Sequence, residues 1–183
     1  PIYYASYGQI NCQIPTDAAV GTSLLQVKRT DGQVSNTVSV TISARAPRLL
    51  RFNVGEYGAI VNAADGSYPL PNGAIPGFNT HAANIGDTLI FYAIGLGDTS
   101  PSVATGAAAP SQPLAQVIGT ATVNFGGGIG GAVVRPDFVG LSGGSAGLYQ
   151  INVRIPAGTP RGNVNVTLAF GDSTSNSVQI AVQ

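Results

Sequence analysis

The chain repeats itself, which leaves few architectures open to it. Tyr7-Gly-Gln-Ile-Asn-Cys-Gln-Ile-Pro15 aligns with Leu148-Tyr-Gln-Ile-Asn-Val-Arg-Ile-Pro156, placing Gln9 on Gln150, Ile10 on Ile151, Asn11 on Asn152 and Pro15 on Pro156. The register holds onward: Gly21 falls on Gly162, Leu25 on Val166 and Val27 on Leu168. After one deleted residue, Ser35-Asn36 falls on Ser175-Asn176. A repeat of this length denotes two copies of one supersecondary unit. The second copy follows a stretch, 86–135, that reads as further strands. The first has no such stretch between Pro1 and its start, so it is expected to lack its front half.

Within both copies the apolar residues recur with period two. Ile10, Cys12 and Ile14 share one face and Gln9, Asn11 and Gln13 the other; Ile151, Val153 and Ile155 alternate in the same way with Gln150, Asn152 and Arg154. This is the pattern of half-buried antiparallel strands. Further strands are expected at Leu25/Val27, Val38/Val40/Ile42, 164–170 and 178–182, with turns such as Asp31-Gly32 between them. Residues 88–94 are apolar on both faces and predict a central strand, and 117–125 with 129–135 predict a hairpin around Gly126-Gly127-Gly128. Gly 25 and Pro 12, with no helical periodicity, complete an all-β reading: tandem immunoglobulin-like β-sandwiches, the first lacking its N-terminal strands. The expected divisions are 1–43, the C-terminal half of a first module; 44–78, a linker and a β-hairpin turning at Asp65-Gly66; and 79–183, a complete second module able to fold alone. Ser102–Pro113 is expected to be an irregular excursion or a mobile loop.

Charge excludes several function classes. Charged residues make up 9% and the net charge is zero, so there is no basic footprint for nucleic acid and no polybasic membrane patch. No apolar run reaches the length of a membrane span. One cysteine permits no internal disulfide and leaves the redox compartment open. With no Met and a start at Pro1, the expectation is of polypeptide upstream that was cleaved off or is not included. An arginine-dominated set of cations on a Gly/Ala/Thr/Asn-rich chain suits an exported protein.

Several motifs imitate chemistry. Gly126, Gly128 and Gly131 match G-x-G-x-x-G, but a strand follows where a dinucleotide site needs a helix N-terminus. Gly140-Leu-Ser142-Gly-Gly144 matches a nucleophile elbow without its helix, and the one histidine, His81, falls in a loop. No catalytic residue, cofactor or metal site is therefore assigned. One His and one Cys make no zinc site. Glu56, Asp65, Asp87 and Asp98 are too scattered for an EF-hand, leaving only a loop-built calcium site conceivable. Asn165-Val-Thr167 is a glycosylation sequon on a strand. Tyr3, Tyr4 and Tyr7 form an aromatic cluster that suits strand packing, an interface or a sugar-stacking platform.

The pattern Gln-Ile-Asn-x-x-Ile-Pro, then Gly, Ser-Asn and a valine-alternating strand, resembles immunoglobulin-like IPT/TIG modules. Over most of its length the chain resembles the β-rich C-terminal domain, Solibacter type, of secreted acidobacterial proteins. The segments that carry this are Pro1-Ile-Tyr-Tyr4, Gln9-Ile-Asn11, 58–66, 86–97, 104–110 and 147–156. The resemblance implies an extracellular or cell-surface, non-catalytic module.

The expected function is a structural or adhesive surface protein, with a filament assembled by strand complementation as its specific form. The alternative is a carbohydrate-binding accessory module of a secreted enzyme, with polysaccharide as partner. The interface candidates are Tyr3, Tyr4, Tyr7, Ile10, Ile14, Val38 and Val40. Seven aliphatic side chains of the first copy, with Cys12, lie on faces that need a partner sheet. Leaving the seven in water forfeits about 10–20 kcal/mol at about 1.5–3 per side chain, more than a domain's usual net stability of about 5–15 kcal/mol. The expected partner is polypeptide that completes the first module, either a cleaved upstream segment or a neighbouring subunit. Cys12 is expected to be buried and unreactive.

Overall fold

The computed structural model describes residues 1–127 and 131–183. It is all-β, as the period-two pattern requires, and among the described residues no helix is long and apolar enough to cross a membrane. The chain divides into two compact units, Pro1–Ala44 and Arg45–Gln183.

The first unit contains β1 (Ile2–Ala5), β2 (Ile10–Cys12), β3 (Gly21–Leu25) and β4 (Val38–Ile42). β1 pairs antiparallel with β2, and β3 with β4. None of its residues is buried. Ile10, Ile14, Leu25, Val27 and Val38 all stand exposed.

The second unit begins with β5 (Arg48–Leu49), β6 (Ile60–Asn62), β7 (Tyr68–Pro69) and β8 (Thr80–His81). It continues through β9 (Thr88–Ile94), β10 (Thr99–Ser100), β11 (Gln116–Val117), β12 (Ala121–Phe125) and β13 (Ala132–Val134). It ends with β14 (Phe138–Leu141), β15 (Tyr149–Arg154), β16 (Gly162–Phe170), β17 (Ser173–Thr174) and β18 (Val178–Val182). One sheet runs β10-β11-β14-β15-β9-β5, with β6 also on β9; the other runs β13-β12-β16-β17, with β18 also on β16. Alternate residues of both sheets, among them Phe91, Ile151 and Val153 from one and Phe125, Val166 and Ile180 from the other, join in one buried apolar cluster. The result is sandwich-like, with the inner faces covering each other. Phe91 meets Phe125 edge-on, with ring centroids 6.3 Å apart.

The central strand expected at 88–94 is β9, paired with β15 along one edge and with β5 and β6 along the other. The hairpin expected at 117–125 and 129–135 is present as β12 and β13. Its start differs, because Val117 belongs to β11 in the other sheet, and Gly128 of its turn lies outside the described residues.

The stretch 44–78 departs from expectation. Where a linker and a β-hairpin are expected, it supplies β5 and β6 to a main sheet and buries Leu49, Ile60, Leu70 and Ile75. Arg45, read as part of a linker, donates from Nε to Leu96 O at 3.1 Å and from its guanidinium to Ile118 O, and lies 5.3 Å from the centroid of the Phe170 ring. Ala46 N donates to Gly95 O at 2.9 Å. Gly95 has φ +75°, and a Cβ there would stand 2.2 Å from Ala46 O, so this approach requires glycine. A module bounded at 79 would therefore be cut through its own sheet. The turn at Asp65-Gly66 forms as expected, with Asn62 N donating to Ser67 O. Ser102–Pro113 is tied down by Ala109 N donating to Ser145 O and by Gly144 N donating to Ala109 O.

Candidate functional site

The motifs that imitate chemistry sit in the positions their neighbours dictate. Ser142 opens the turn between β14 and β15, its N donating to Leu148 O, and no helix follows it. Of the carboxylates, Glu56 pairs with Arg51. Asp87 accepts from Asn62 Nδ2 and Asn84 N, both at 2.9 Å. Among the described residues no three His, Cys, Asp or Glu side chains gather as metal ligands.

His81 sits in a strong local environment. Its Nδ1 lies 3.1 Å from Ala82 O and its Nε2 2.9 Å from Asp65 Oδ2. Two acceptors favour the doubly protonated ring. The Ala82 carbonyl first, and Asp65 second, hold the His81 pKa above its ordinary value. Asp65 is held below its ordinary value by the Ser67 hydroxyl first and the Ser67 amide next. Ser67 Oγ donates to Asp65 Oδ1 at 2.6 Å and the residue is fully buried. The carboxylate therefore lies between the hydroxyl and the imidazole, whereas a nucleophile–base pair needs the imidazole on the hydroxyl. The cluster locks a turn. Because the folded-state pKa is raised, the histidine's contribution to stability is complete below the ordinary histidine pKa and is lost as pH rises through the folded value. Imidazole proton shifts followed from pH 5 to 9 are expected to give a raised pKa for His81 that returns toward the ordinary value in Asp65→Asn.

The two copies of the repeat, compared bond by bond, isolate the other candidate site. Gly21 pairs with Ile42, Ser23 with Val40 and Leu25 with Val38; in the second unit Gly162 pairs with Val182, Val164 with Ile180 and Val166 with Val178. Val27 N donates to Ser35 Oγ at 3.0 Å, and Leu168 N to Ser175 Oγ at 2.9 Å. Both serine hydroxyls then donate 2.8 Å to the following asparagine carbonyl. Gln9 Nε2 donates to Asn11 Oδ1, and Gln150 Nε2 to Asn152 Oδ1. β1 takes the place of β14: Tyr4 faces Asn11 as Phe138 faces Asn152, and Ala5 faces Ile10 as Val139 faces Ile151.

The twins differ in what covers them. Ile151, Val153, Val166, Leu168, Val178 and Ile180 are at most 1% exposed. Of their counterparts Ile10, Cys12, Leu25, Val27, Val38 and Val40, the first five are exposed and Val40 is half-buried. In the second unit three further elements flank these strands and add to the buried cluster. β9 pairs along β15, β12 along 166–170 of β16, and β5 is held by Asn176, whose Oδ1 accepts from Leu49 N at 2.9 Å and whose Nδ2 donates to Leu49 O at 3.2 Å. Residues 1–44 contain a counterpart of none of the three.

The remaining interface candidates are exposed too. Ile14 and Tyr4 are about half exposed, Tyr7 is fully so, and Tyr3 donates its hydroxyl to Gln13 Oε1 at 2.8 Å. Cys12 is a correction: the register assigned to it holds, but the face it occupies is uncovered and its thiol is exposed. In the isolated chain it is expected to react with a thiol reagent at close to the rate of an unfolded control. The sequence reading missed the Asn176 clamp, for which the repeated Ser-Asn was the available signal. It also missed the ring triangle of Phe52, Tyr68 and Phe78, whose centroids lie 5.2–5.6 Å apart. Compared with models of protein families, with curated proteins and with solved structures, the chain matches none.

Proposed function

We propose that this is a non-catalytic structural or adhesive protein of the cell surface or extracellular space, built from immunoglobulin-like modules of the IPT/TIG type and assembled by strand complementation through its first unit. One observation carries the reading. The same hairpin, with the same register and the same serine bonds, is buried in the second unit and bare in the first. A contiguous apolar face of this kind marks an interaction surface, and exposed strand edges accept further strands. The resemblance to modules of secreted proteins supports the location.

A second reading, binding of polysaccharide, rests on the exposed rings of Tyr4 and Tyr7. Two assays separate the readings. The apolar dye ANS is expected to bind the full chain strongly and 45–183 weakly, with binding lost in Leu25→Asp/Val38→Asp. Co-sedimentation with cellulose, chitin or xylan is expected to leave the chain in solution. Retention that Tyr7→Ala abolishes would establish the second reading, and absence of dye binding by the full chain would overturn the first.

A further inference from the structure

We infer that the occupant of the open face is a partner polypeptide of the same kind as residues 45–127, the front half of the second unit, and that Asn36 is the residue that clamps its first strand. The inference rests on the proposed assembly role and specifies the partner.

The second unit shows what fits. Its back half, β14 to β18, is the structural twin of 1–44, and its front half supplies strands that pair along the edges of the back half and share its buried cluster. Carried across the repeat, the free edge of β2 opposite β1 takes an antiparallel strand like β9, whose Leu89 and Phe91 face Val153 and Ile151. The corresponding residues in the first unit are Cys12 and Ile10. The edge at 25–29 takes a strand like β12, which runs along 166–170 in the second unit. Asn36 corresponds to Asn176, so its amide is placed to accept from one backbone N–H and donate to the carbonyl of the same residue, as Asn176 does with Leu49. Such a clamp reads backbone and fixes register, while the apolar row provides the affinity.

A second copy is a poor occupant, by stoichiometry. Residues 1–183 hold two back halves, 1–44 and the stretch from β14 to β18, and one front half, which the second unit already uses. If one copy donates its front half to a neighbour's first unit, it uncovers as much surface as it covers. Strand donation among chains of residues 1–183 therefore leaves one open face per chain, however far it extends.

Cys12 reports occupancy directly, since its twin Val153 is completely buried when the strand is present. The full chain is mixed with one of two synthetic peptides, 84–97 carrying β9 or 45–97 carrying β5, β6 and β9, each with terminal lysines for solubility. Iodoacetamide labelling is then timed. Both peptides are expected to slow labelling by about tenfold or more at saturation, and a scrambled 84–97 to have no effect. Asn36→Ala is expected to weaken 45–97 by about tenfold and to leave 84–97 unchanged, which separates the clamp from general damage to the unit. Labelling unchanged by either peptide, while the chain still binds ANS, overturns this inference and leaves the assembly reading standing; no ANS binding overturns both. Labelling that slows with chain concentration alone identifies a second copy as the occupant and overturns the inference.

Discussion

A chain trimmed to residues 79–183 will not unfold cooperatively, whereas 45–183 will melt in a single transition. The trimmed chain keeps β9 but loses β5 and β6 from its edge, and with 45–78 go the side chains of Leu49, Ile60, Leu70 and Ile75, all buried. At about 1.5–3 kcal/mol for each fully buried aliphatic side chain, the loss is about 6–12 kcal/mol. That is comparable to the whole stability of an ordinary domain, about 5–15 kcal/mol. The Asn176 amide also loses the Leu49 backbone it clamps, and the Arg45 guanidinium no longer reaches the Leu96 and Ile118 carbonyls. Circular dichroism and calorimetry on the two fragments decide the matter; a sharp transition in 79–183 would show that the first three strands of the unit are dispensable.

Phe91→Ala will cost about 3–5 kcal/mol, lowering the Tm of 45–183 by roughly 10–20 °C. Phe91 is 1% exposed on β9 of one sheet, and its ring meets Phe125 of the other sheet edge-on. Its removal leaves a cavity at the middle of the sandwich, where backbone on both sides is held by strand pairing and cannot collapse inward. Val133→Ala is the matched control: this valine is 61% exposed on β13, and the change should stay within about 0.5 kcal/mol. A thermal melt in which both substitutions have small effects would mean that the two sheets do not share one core.

The repeat made the back half of each unit legible in detail. Alternation of Ile10, Cys12 and Ile14 against Gln9, Asn11 and Gln13 predicts which row faces inward, and the twin row Ile151, Val153 and Ile155 is buried. The same alternation led to a buried Cys12, because period two reports which way a side chain points and not whether anything lies over it. The boundary at 79 failed for a related reason. Strands as short as Arg48–Leu49 and Ile60–Asn62 are too brief to show a period, and Pro47 and Asp65-Gly66 punctuate the stretch as a linker and turn would. What ties it to the sheet is long-range: Leu49 to Asn176, Arg45 to Leu96 and Ile118. The His81–Asp65 pair was equally hidden, since it depends on β7 and β8 lying parallel.

The way the second unit holds its first residues decides how it would carry a mechanical load. Tension applied through Ala44 enters at Arg45 and Ala46, whose hydrogen bonds reach Leu96, Ile118 and Gly95, and passes to Leu49. Leu49 is paired with Ala93 of β9 in one sheet and gripped by Asn176, just ahead of β18 in the other. A pull on the junction is therefore shared between both layers of the sandwich, so that extracting the leading strand means breaking contacts to each sheet together.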